Sequence, residues 1–368
     1  MTRHTILLLP VKTWDIGLIH FVLPSSGFTR PRGVDEVNDI NALAVGLTFG
    51  VTAIVTMGVL QASKYWRIMD VPNERSAHST PTPTLGGIAI SAGIAAGLLT
   101  TDVPGTWLWP LLLTLCVLLV SVVDDLGRPM RVGRKLLLQL AASGTWVGLA
   151  PSMPIQLTQD WVLASGPATA VLTIVWLLWL MNMFNFMDGI DGLTTSQATV
   201  MSLGLSLVLV MTASPIAVLP VVMIPACLCF LLFNAPPARI FMADVGSLSL
   251  GFLLGTVTLT AAAHGVSLWL SALPLAGYAI DTSYTIFRRL LRRENVLQAH
   301  NQHLYQQLVQ SGWSQLQVDG AALVISASFS CAALFELSGQ HILSGVCMAM
   351  AVLGMGAGLW WKERRSRG

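Results

Sequence analysis

The chain has 368 residues, of which 54% are hydrophobic and only 10% are charged, and its formal net charge is +2. A soluble domain has about 25% charged residues, so this composition excludes a water-soluble enzyme, a disordered chain and a disulfide-framed secreted domain. The small net charge also argues against a nucleic-acid partner. The cysteines lie in apolar runs without a CxxC pair, which is typical of small buried hydrophobic residues.

Long apolar segments predict an all-α, polytopic membrane protein. The hydrocarbon core of a bilayer is about 30 Å thick and requires about 20 mostly apolar residues per helix. Eleven segments approach this length, and these are residues 41–61, 85–100, 107–123, 135–150, 168–187, 196–213, 216–233, 247–263, 267–287, 319–337 and 340–361. Their Gly, Ala and Ser content favours close contact between helices.

The distribution of Lys and Arg predicts the orientation, because cytoplasmic connections are enriched in these residues. The connections on one side of the membrane carry Lys and Arg, and those on the other side carry none. The basic segments are 62–84, 124–135, 234–246, 288–317 and the C-terminal tail. With eleven spans, this pattern places the C-terminus in the cytoplasm and the N-terminus outside, in the periplasm.

These patterns divide the chain into three predicted parts. Residues 1–40 have no signal-peptide pattern and are expected to form a periplasmic or interfacial extension. Residues 41–361 form the multi-pass domain, and residues 362–368 form a basic cytoplasmic tail. The acidic residues of the multi-pass domain concentrate at its predicted cytoplasmic face, which indicates that a charged solute is handled there.

Two adjacent carboxylates, Asp124 and Asp125, end the third predicted span. Their mutual repulsion raises at least one pKa, and the dipole at a helix C-terminus is unfavourable for negative charge. Such a pair usually has a cationic partner, so we expect a metal or catalytic site. A loop held by salt bridges to the nearby arginines is the alternative.

The segment NMFNFMDGIDGL combines carboxamides and carboxylates at a spacing of three residues. The four side chains are those of Asn182, Asn185, Asp188 and Asp191. On a helix this spacing keeps neighbours near one face, where they could bind a hard cation or hydrogen-bond a sugar nucleotide. The two glycines of the segment are expected to end the helix. Helix capping alone is the alternative.

Asp244 precedes the eighth predicted span in the segment PPARIFMADVGSLSLG. The free N–H groups at a helix N-terminus suit a phosphate group. A bridging Mg²⁺ would reconcile the carboxylate with that phosphate, and Arg239 could pair with a phosphate oxygen. The alternative is that Asp244 only caps the helix.

Histidines mark two further segments on the predicted cytoplasmic side. His300 and His303 follow four arginines, and their spacing predicts that they lie near one helical face. We expect them to contact a diphosphate or a base, with a surface segment or a zinc site as alternatives. Arg75 and His78 lie in a Pro- and Ser-rich loop and are expected to contact a phosphate or lipid headgroup, unless that loop is a simple connection.

Taken in order, these segments resemble the bacterial polyprenyl-phosphate N-acetylhexosamine-1-phosphate transferases, the MraY/WecA-like members of glycosyl transferase family 4. The resemblance covers roughly residues 45–312 and is carried by DxPNxRxxH, the aspartate pair, NxxNxxDGxDGL, PxxIFMxDxGS and the histidine segment. The form QHLYQQL is most similar to the WbpL-type enzymes that initiate O-antigen synthesis. Two departures are Ala243, where most members have Gly, and Tyr305 with Gln306, where many have His.

The resemblance implies a reaction at the cytoplasmic face of the bacterial inner membrane. A UDP-N-acetylhexosamine gives its sugar 1-phosphate to undecaprenyl phosphate and releases UMP, which starts the synthesis of O-antigen or another surface polysaccharide. Mg²⁺ is the expected cofactor, with Mn²⁺ as a substitute. N-acetylglucosamine and its close isomers all remain candidates for the sugar.

The resemblance also implies roles for the candidate residues. Asp244 is expected to contact Mg²⁺ directly, with Asp188 and Asp125 as further metal ligands. Asp124 and Asp125 are expected to poise the lipid phosphate or share the metal. Asn182, Asn185 and Asp191 are expected to bind the nucleotide sugar. His303 and Arg293 are expected to lie along the diphosphate or uridine.

Other functions remain alternatives at this point. Within the enzyme class, the runner-up is the phospho-N-acetylmuramoyl-pentapeptide transferase of cell-wall synthesis, although the histidine run typical of that enzyme is missing here. A transporter would place polar groups near the middle of the membrane, whereas only Asp281 lies well within a predicted span. A homodimer is an open alternative to a monomer.

Overall fold

The computed structural model describes residues 12–16, 19–23, 42–72, 80–101, 103, 105–122, 132–150, 152–296, 298 and 300–367. The predicted site residues Arg75, His78, Asp124 and Asp125 lie outside these ranges, so their roles stay predictions. Within these ranges, β structure is confined to three antiparallel strand pairs. They are β1 (Lys12–Ile16) with β2 (Ile19–Leu23), β3 (Met69–Asp70) with β4 (Thr82–Pro83), and β5 (Ile155–Gln156) with β6 (Val162–Leu163).

The rest of the described chain is mainly helical. The helices are α1 (Ala42–Trp66), α2 (Gly87–Leu98), α3 (Gly105–Leu118), α4 (Val132–Leu149), α5 (Pro167–Met187), α6 (Leu193–Met211), α7 (Val218–Asn234), α8 (Ala243–Ala263), α9 (Leu268–Ala272), α10 (Ala276–Leu291), α11 (Leu304–Gln310), α12 (Gln315–Leu337) and α13 (His341–Arg367). Short 3₁₀ turns lie at Leu119–Ser121, Pro215–Ala217 and Leu273–Leu275. Each of the eleven predicted spans coincides with one or more of these helices.

Six of the described helices are long and apolar enough to cross a membrane, namely α1, α5, α6, α8, α12 and α13. Helices α2, α3 and α7 are apolar but shorter. The prediction of an all-α polytopic membrane protein is confirmed. The ninth predicted span is divided into α9, a 3₁₀ turn and α10, with Pro274 in the turn. Proline has no N–H to donate and therefore interrupts regular helix hydrogen bonding.

Helix α8 forms the centre of the bundle. Every residue from Val245 to Ala262 is buried, and α8 packs against α2, α3, α5, α6 and α7. Its N-terminal turn approaches α2 so closely that a Cβ atom on Gly87 would overlap the backbone of Gly246. The absence of side chains at both positions therefore allows the two backbones to meet, as small residues do in membrane proteins.

Candidate active site

The first group of site residues lies where α4, α5 and α8 meet. The amide Nδ2 of Asn185 donates to Asp244 Oδ1 over 2.7 Å and also to Ser247 Oγ over 3.2 Å. The ammonium group of Lys135 forms an ion pair with Asp244 Oδ2. Asp244 lies in the first turn of α8, where the helix dipole favours a negative charge. Its carboxylate therefore joins three helices instead of only capping one of them.

A second polar contact lies one turn deeper between α4 and α5. Asn182 Nδ2 donates to Gln139 Oε1 over 2.7 Å, and Gln139 Nε2 donates back to Asn182 Oδ1 over 3.3 Å. Lys135 and Gln139 are four residues apart on α4, and Asn182 and Asn185 are three apart on α5, so each pair lies on one helix face. The amide pair fixes the register in which Lys135 and Asn185 meet Asp244.

Asp188 lies just beyond α5, at the cap position of the helix. The pKa of its carboxyl is raised from 3.8 to about 7, mainly because the group is buried; a hydrogen bond from Thr194 opposes this rise, and the negative charge of Asp244 adds to it. The two carboxylates therefore act on one another electrostatically. A cation placed between them would remove this repulsion and favour the ionised form of Asp188.

Asp191 follows in the turn that leads to α6, and Gly192, at φ 78°, precedes that helix. The predicted end of α5 at this motif is confirmed, but the expectation that all four polar residues share one helix face is wrong, because α5 ends at Met187. Asp191 Oδ2 accepts a hydrogen bond of 2.9 Å from the N–H of Ala238, and its own N–H donates to Gln315 Oε1 over 3.2 Å. Asp191 thus ties the loop to two other segments.

The backbone joins two motifs that are far apart in the sequence. Gly86 and Gly87 donate their N–H groups to the carbonyls of Phe241 and Met242 over 2.8 and 2.9 Å. The loop that begins at Asp70 therefore ends directly beside the segment that carries Asp244. Ala243 stands at φ 59°, in the left-handed region that favours glycine. Its replacement of the usual Gly thus costs conformational energy in addition to adding a methyl group.

The histidine segment reaches the site from the connection between α10 and α12. His303 is the N-cap of α11 and has an extended backbone, so the prediction that His300 and His303 share a helical face is wrong. Their rings are nevertheless brought together, with centroids 5.0 Å apart. His303 is 2% exposed and stacks on Phe186, two residues before Asp188, at 6.0 Å.

His300 is half-buried and remains the more accessible of the two rings. Its pKa is lowered from 6.5 to about 4, mainly because the ring is partly buried and also because His303 and Arg289 lie nearby. The N–H of Gln302 donates to His300 Nδ1 over 3.3 Å. In the neutral ring the proton is then on Nε2, which makes His300 a neutral hydrogen-bond donor at pH 7.

Two of the predicted arginines, Arg239 and Arg293, are exposed and, among the residues that the structure describes, form no hydrogen bond or ion pair with these groups. Arg239 is exposed, donates to the carbonyl of Leu232 and covers the ring of Phe233 at 4.7 Å. Arg293 is exposed at the end of α10 with φ 57°. Arg289 is instead the buried arginine of this region, since it is 3% exposed and donates to the carbonyl of Asn295 over 2.6 Å.

Lys135, Asp281 and Arg289 belong to this region although no motif pointed to them individually. Lys135 could have been found from its spacing to Gln139, because two polar side chains four residues apart face the same way on an apolar helix. Asp281 could have been found as an acidic residue inside a predicted span, which is a signal for a functional site. Arg289 could have been chosen over Arg293 as the buried arginine only if the end of α10 at Leu291 had been known, because Arg289 lies within that helix and Arg293 beyond it.

The donor atoms suit a hard divalent cation. Asp244 and Asp188 provide carboxylate oxygens and Asn185 provides an amide oxygen, the ligand type that Mg²⁺ prefers. The Lys135 ammonium group on Asp244 shows that this carboxylate is paired with positive charge. Within the described ranges no three His, Cys, Asp or Glu side chains converge on one point. A site would therefore use these two carboxylates together with substrate oxygens, water or residues of the segment that contains Asp125.

Comparison with known proteins identifies the family. The model of a family described as glycosyl transferase family 4 matches residues 107–262, which include α4, α5, all but the last residue of α8, and the polar cluster between these helices. A phospho-N-acetylmuramoyl-pentapeptide-transferase of Synechococcus sp. is 30% identical over 266 residues, which are 67% of this chain and 73% of that protein. The chain belongs to glycosyl transferase family 4. The family resemblance of its motifs is thereby confirmed.

Two further relatives of this family 4 chain cover more of its length. A protein of Bacillus subtilis named as a probable undecaprenyl-phosphate N-acetylglucosaminyl 1-phosphate transferase is 28% identical over 75% of this chain and 79% of its own. A decaprenyl-phosphate N-acetylglucosaminephosphotransferase of Mycolicibacterium smegmatis is 28% identical over 81% of this chain and 85% of its own. Similarity therefore extends beyond the segment that the family model matches.

Proposed function

We propose that this protein transfers an N-acetylhexosamine 1-phosphate from a UDP-sugar to undecaprenyl phosphate, and that the products are undecaprenyl-diphospho-sugar and UMP. The observation that carries the proposal is the convergence of Lys135, Asn185 and Asp244 at the ends of three helices, beside Asp188. Acidic, amide and cationic groups together suit a diphosphate with a divalent cation. The names of the relatives from Bacillus subtilis and Mycolicibacterium smegmatis support the same reaction class.

In this mechanism an oxygen of the lipid phosphate attacks the β-phosphorus of the UDP-sugar, and UMP leaves with the electron pair of the broken P–O bond. A phosphate monoester has its second pKa near about 6, so the lipid phosphate is mostly dianionic at neutral pH. A general base is therefore not required. The protein contributes positioning and charge stabilisation, which dominate phosphoryl transfer.

The polar cluster supplies these two contributions. Asp244 and Asp188 would hold Mg²⁺, and Asn185 fixes the orientation of the Asp244 carboxylate through its 2.7 Å hydrogen bond. When bound, Mg²⁺ would neutralise the diphosphate charge. Lys135 is 30% exposed, so its ammonium group can exchange the carboxylate for a substrate phosphate oxygen. Mn²⁺ is expected to substitute for Mg²⁺, since it accepts the same oxygen ligands.

We place the site at the cytoplasmic face of a bacterial inner membrane, where a nucleotide sugar is accessible. The basic connections before α2, after α10 and at the C-terminus support this side, as positively charged segments remain cytoplasmic. Products of this kind start O-antigen or other surface polysaccharides, which we propose as the pathway class. A homodimer is compatible with this role but is not required by the site.

A second candidate is the transfer of phospho-N-acetylmuramoyl-pentapeptide to the same lipid. The relative from Synechococcus sp., at 30% identity, has that name. The two reactions share their chemistry at the diphosphate and differ only in the sugar and its peptide. A substrate comparison therefore decides between them.

The test is UMP release by the purified protein in lipid nanodiscs. Undecaprenyl phosphate is supplied with UDP-N-acetylglucosamine, UDP-N-acetylgalactosamine, UDP-N-acetylquinovosamine, UDP-N-acetylfucosamine or UDP-N-acetylmuramoyl-pentapeptide, with Mg²⁺, with Mn²⁺ or with a chelator. We expect UMP release that requires the lipid and a divalent cation and that is fastest with one of the free N-acetylhexosamines. Preference for the muramoyl-pentapeptide substrate would establish the second candidate, and no UMP from any donor would contradict both.

A further inference from the structure

One face of α10 holds the histidine segment in place. Asp281, Thr285, Arg288 and Arg289 are separated by four, three and one residues, so they project from the same side of this helix. Arg288 Nη2 donates to the carbonyl and to the side-chain Oε1 of Gln302 over 3.1 and 3.2 Å. Together with the bond from Arg289 to the carbonyl of Asn295, these contacts fix two points of the connection between α10 and α11.

Asp281 makes the third contact between α10 and this connection. Its carboxylate is more buried than Gln302 and Asn295, whose carbonyls accept the other two hydrogen bonds. The carboxylate is 4% exposed, and its Oδ1 accepts a 2.9 Å hydrogen bond from the N–H of Leu304, the first residue of α11. Thr285 Oγ1 donates to the same oxygen over 3.2 Å. The first N–H groups of a helix have no partner within that helix, so Asp281 caps α11 from a neighbouring helix.

The cap determines where the two histidines lie. His303 immediately precedes Leu304, and its Nδ1 is 3.6 Å from Asp281 Oδ1. Its ring stacks on Phe186, while Tyr305 OH donates to the carbonyl of Phe186 over 3.0 Å. The C-terminal end of α5 is thus held against the start of α11 by Phe186, and the start of α11 is held against α10 by Asp281.

This junction also depends on a close approach at Gly189. A Cβ atom at this position would overlap the hydroxyl of Tyr305, so the Asp188 loop and α11 fit against each other without intervening space. His303 is enclosed and His300 is the more accessible ring, and within the described part of the chain its Nε2 has no acceptor. A neutral donor of this kind suits a carbonyl or hydroxyl group of the nucleotide sugar better than a phosphate oxygen.

We infer that Asp281 is a positioning residue for the nucleotide-sugar side of the site: by capping α11 it holds His303 and Tyr305 against the Asp188 loop and presents His300 to the donor substrate. Asp281 itself touches no substrate in this account. The inference rests on the proposed function for the identity of the donor. Asp281 lies outside every motif that carries the family resemblance.

The test compares Asp281→Ala, which removes the acceptor, with Asp281→Asn, whose amide oxygen can still accept from Leu304. Asp319→Ala is the matched control, because Asp319 is a second buried carboxylate that also accepts a side-chain hydrogen bond, 2.6 Å from Ser196 Oγ, but lies between α6 and α12. For each variant we would measure kcat, KM for the UDP-sugar and KM for undecaprenyl phosphate in nanodiscs. Hydrogen–deuterium exchange of residues 300–310 is measured on the same samples.

We expect Asp281→Ala to raise KM for the UDP-sugar on the order of tenfold, because loss of a helix cap destabilises the start of a helix. KM for undecaprenyl phosphate should change less than twofold, roughly within the range of a surface substitution. Exchange in residues 300–310 should accelerate in Asp281→Ala, and Asp281→Asn should restore both values. Asp319→Ala should leave the donor KM and this exchange unchanged.

Three results would overturn the inference. They are equal increases of both KM values in Asp281→Ala, an Asp281→Asn variant as impaired as Asp281→Ala, and unchanged exchange in residues 300–310. Failure of the proposed function is distinguishable, because the wild-type protein would then release no UMP from any donor. The exchange measurement would still decide whether Asp281 holds α11.

Discussion

Asp244 has both carboxylate oxygens engaged, one by Asn185 and the other by Lys135. Asp244→Asn keeps the size of the side chain but removes the charge that a divalent cation and Lys135 both require. We expect kcat to fall by about 10² to 10³, the usual cost of losing one strong transition-state contact. The measurement is UMP release at saturating substrates over a Mg²⁺ titration.

A matched control for this substitution is Glu336→Gln. Glu336 is a carboxylate that pairs with His341 over 3.0 Å at the opposite end of the bundle. The same loss of charge there should leave kcat within about twofold, as expected for a surface site. If Asp244→Asn retained near-normal kcat at ordinary Mg²⁺ concentrations, Asp244 would be a structural cap and not a metal ligand.

We expect the substitution Asp188→Asn to have opposite effects on stability and on activity. Its pKa is about 7 in the folded protein against 3.8 for the free side chain. The ionised carboxylate therefore destabilises the fold fully above about pH 7, and this penalty disappears as pH falls toward 3.8. Asp188→Asn should raise the Tm at pH 8, with a difference that shrinks below pH 7, and should abolish turnover.

The measurements for Asp188 are thermal unfolding in nanodiscs between pH 5 and 8, without added divalent cation, and UMP release. If Asp188→Asn had a lower Tm than the wild type at pH 8, the protein itself would already stabilise the ionised carboxylate of Asp188, and the predicted penalty would be wrong. Asp188 must lose this proton before it can hold a cation, so the same pKa predicts that kcat/KM measured at subsaturating Mg²⁺ rises between about pH 6 and 8.

Single residues of the site were predictable from the sequence when a motif contained them. Asn185 was found because regularly spaced polar side chains are rare in an apolar span, and Asp244 because it precedes Gly246 and Ser247 at the start of one. The structure brings the two side chains together. Lys135 and Asp281 were not assigned, because their partners are 109 and 23 residues away in the chain and only packing reveals them. The surroundings of His303 were equally hidden, since its stacking on Phe186 depends on how α11 folds back.

At the scale of elements, the contact of α2 with α8 controls the position of Asp244. A Cβ atom on Gly87 would overlap the backbone of Gly246, two residues after Asp244. Gly87→Ala should therefore destabilise the protein by about 1–3 kcal/mol, as overpacking does. It should also lower kcat because the N-terminal turn of α8 must move.

The control for this contact is Gly144→Ala on α4, where an added Cβ has no atom of the other described segments within 4 Å. This substitution should not lower the Tm, since alanine is the better helix former. Thermal unfolding and UMP release of both variants are the measurements. Equal Tm values for Gly87→Ala and the wild type would contradict the close packing of α2 on α8.

Hydropathy predicted most helices, because long apolar segments in a membrane protein have few other structures available. The ends of α5 and α8 agreed with the predicted positions to within a few residues. Two features escaped this pattern. The break of the ninth span around Pro274 depends on local geometry, and α11 has seven residues, too few for a hydropathy signal.

For the whole molecule, the distribution of Lys and Arg predicts one topology. Single cysteines introduced at Gly105 and Gln340 should react with a membrane-impermeant maleimide in intact cells, and those at His300 and Gly368 only after permeabilisation. The physical reason is the retention of basic segments on the cytoplasmic side. Labelling of a cysteine at residue 368 in intact cells would place the C-terminus outside and would contradict a cytoplasmic active site.

The proposed reaction moves a sugar 1-phosphate, and not a sugar alone, to the lipid. The most direct measurement uses a UDP-N-acetylhexosamine labelled with ³²P at its β-phosphorus, together with undecaprenyl phosphate, Mg²⁺ and the purified protein. We expect the label to move into the organic-extractable lipid while unlabelled UMP is released, and we expect Asp244→Asn to prevent both. Label retained in the nucleotide as UDP, with or without a glycosylated lipid, would show that this protein does not transfer a sugar 1-phosphate.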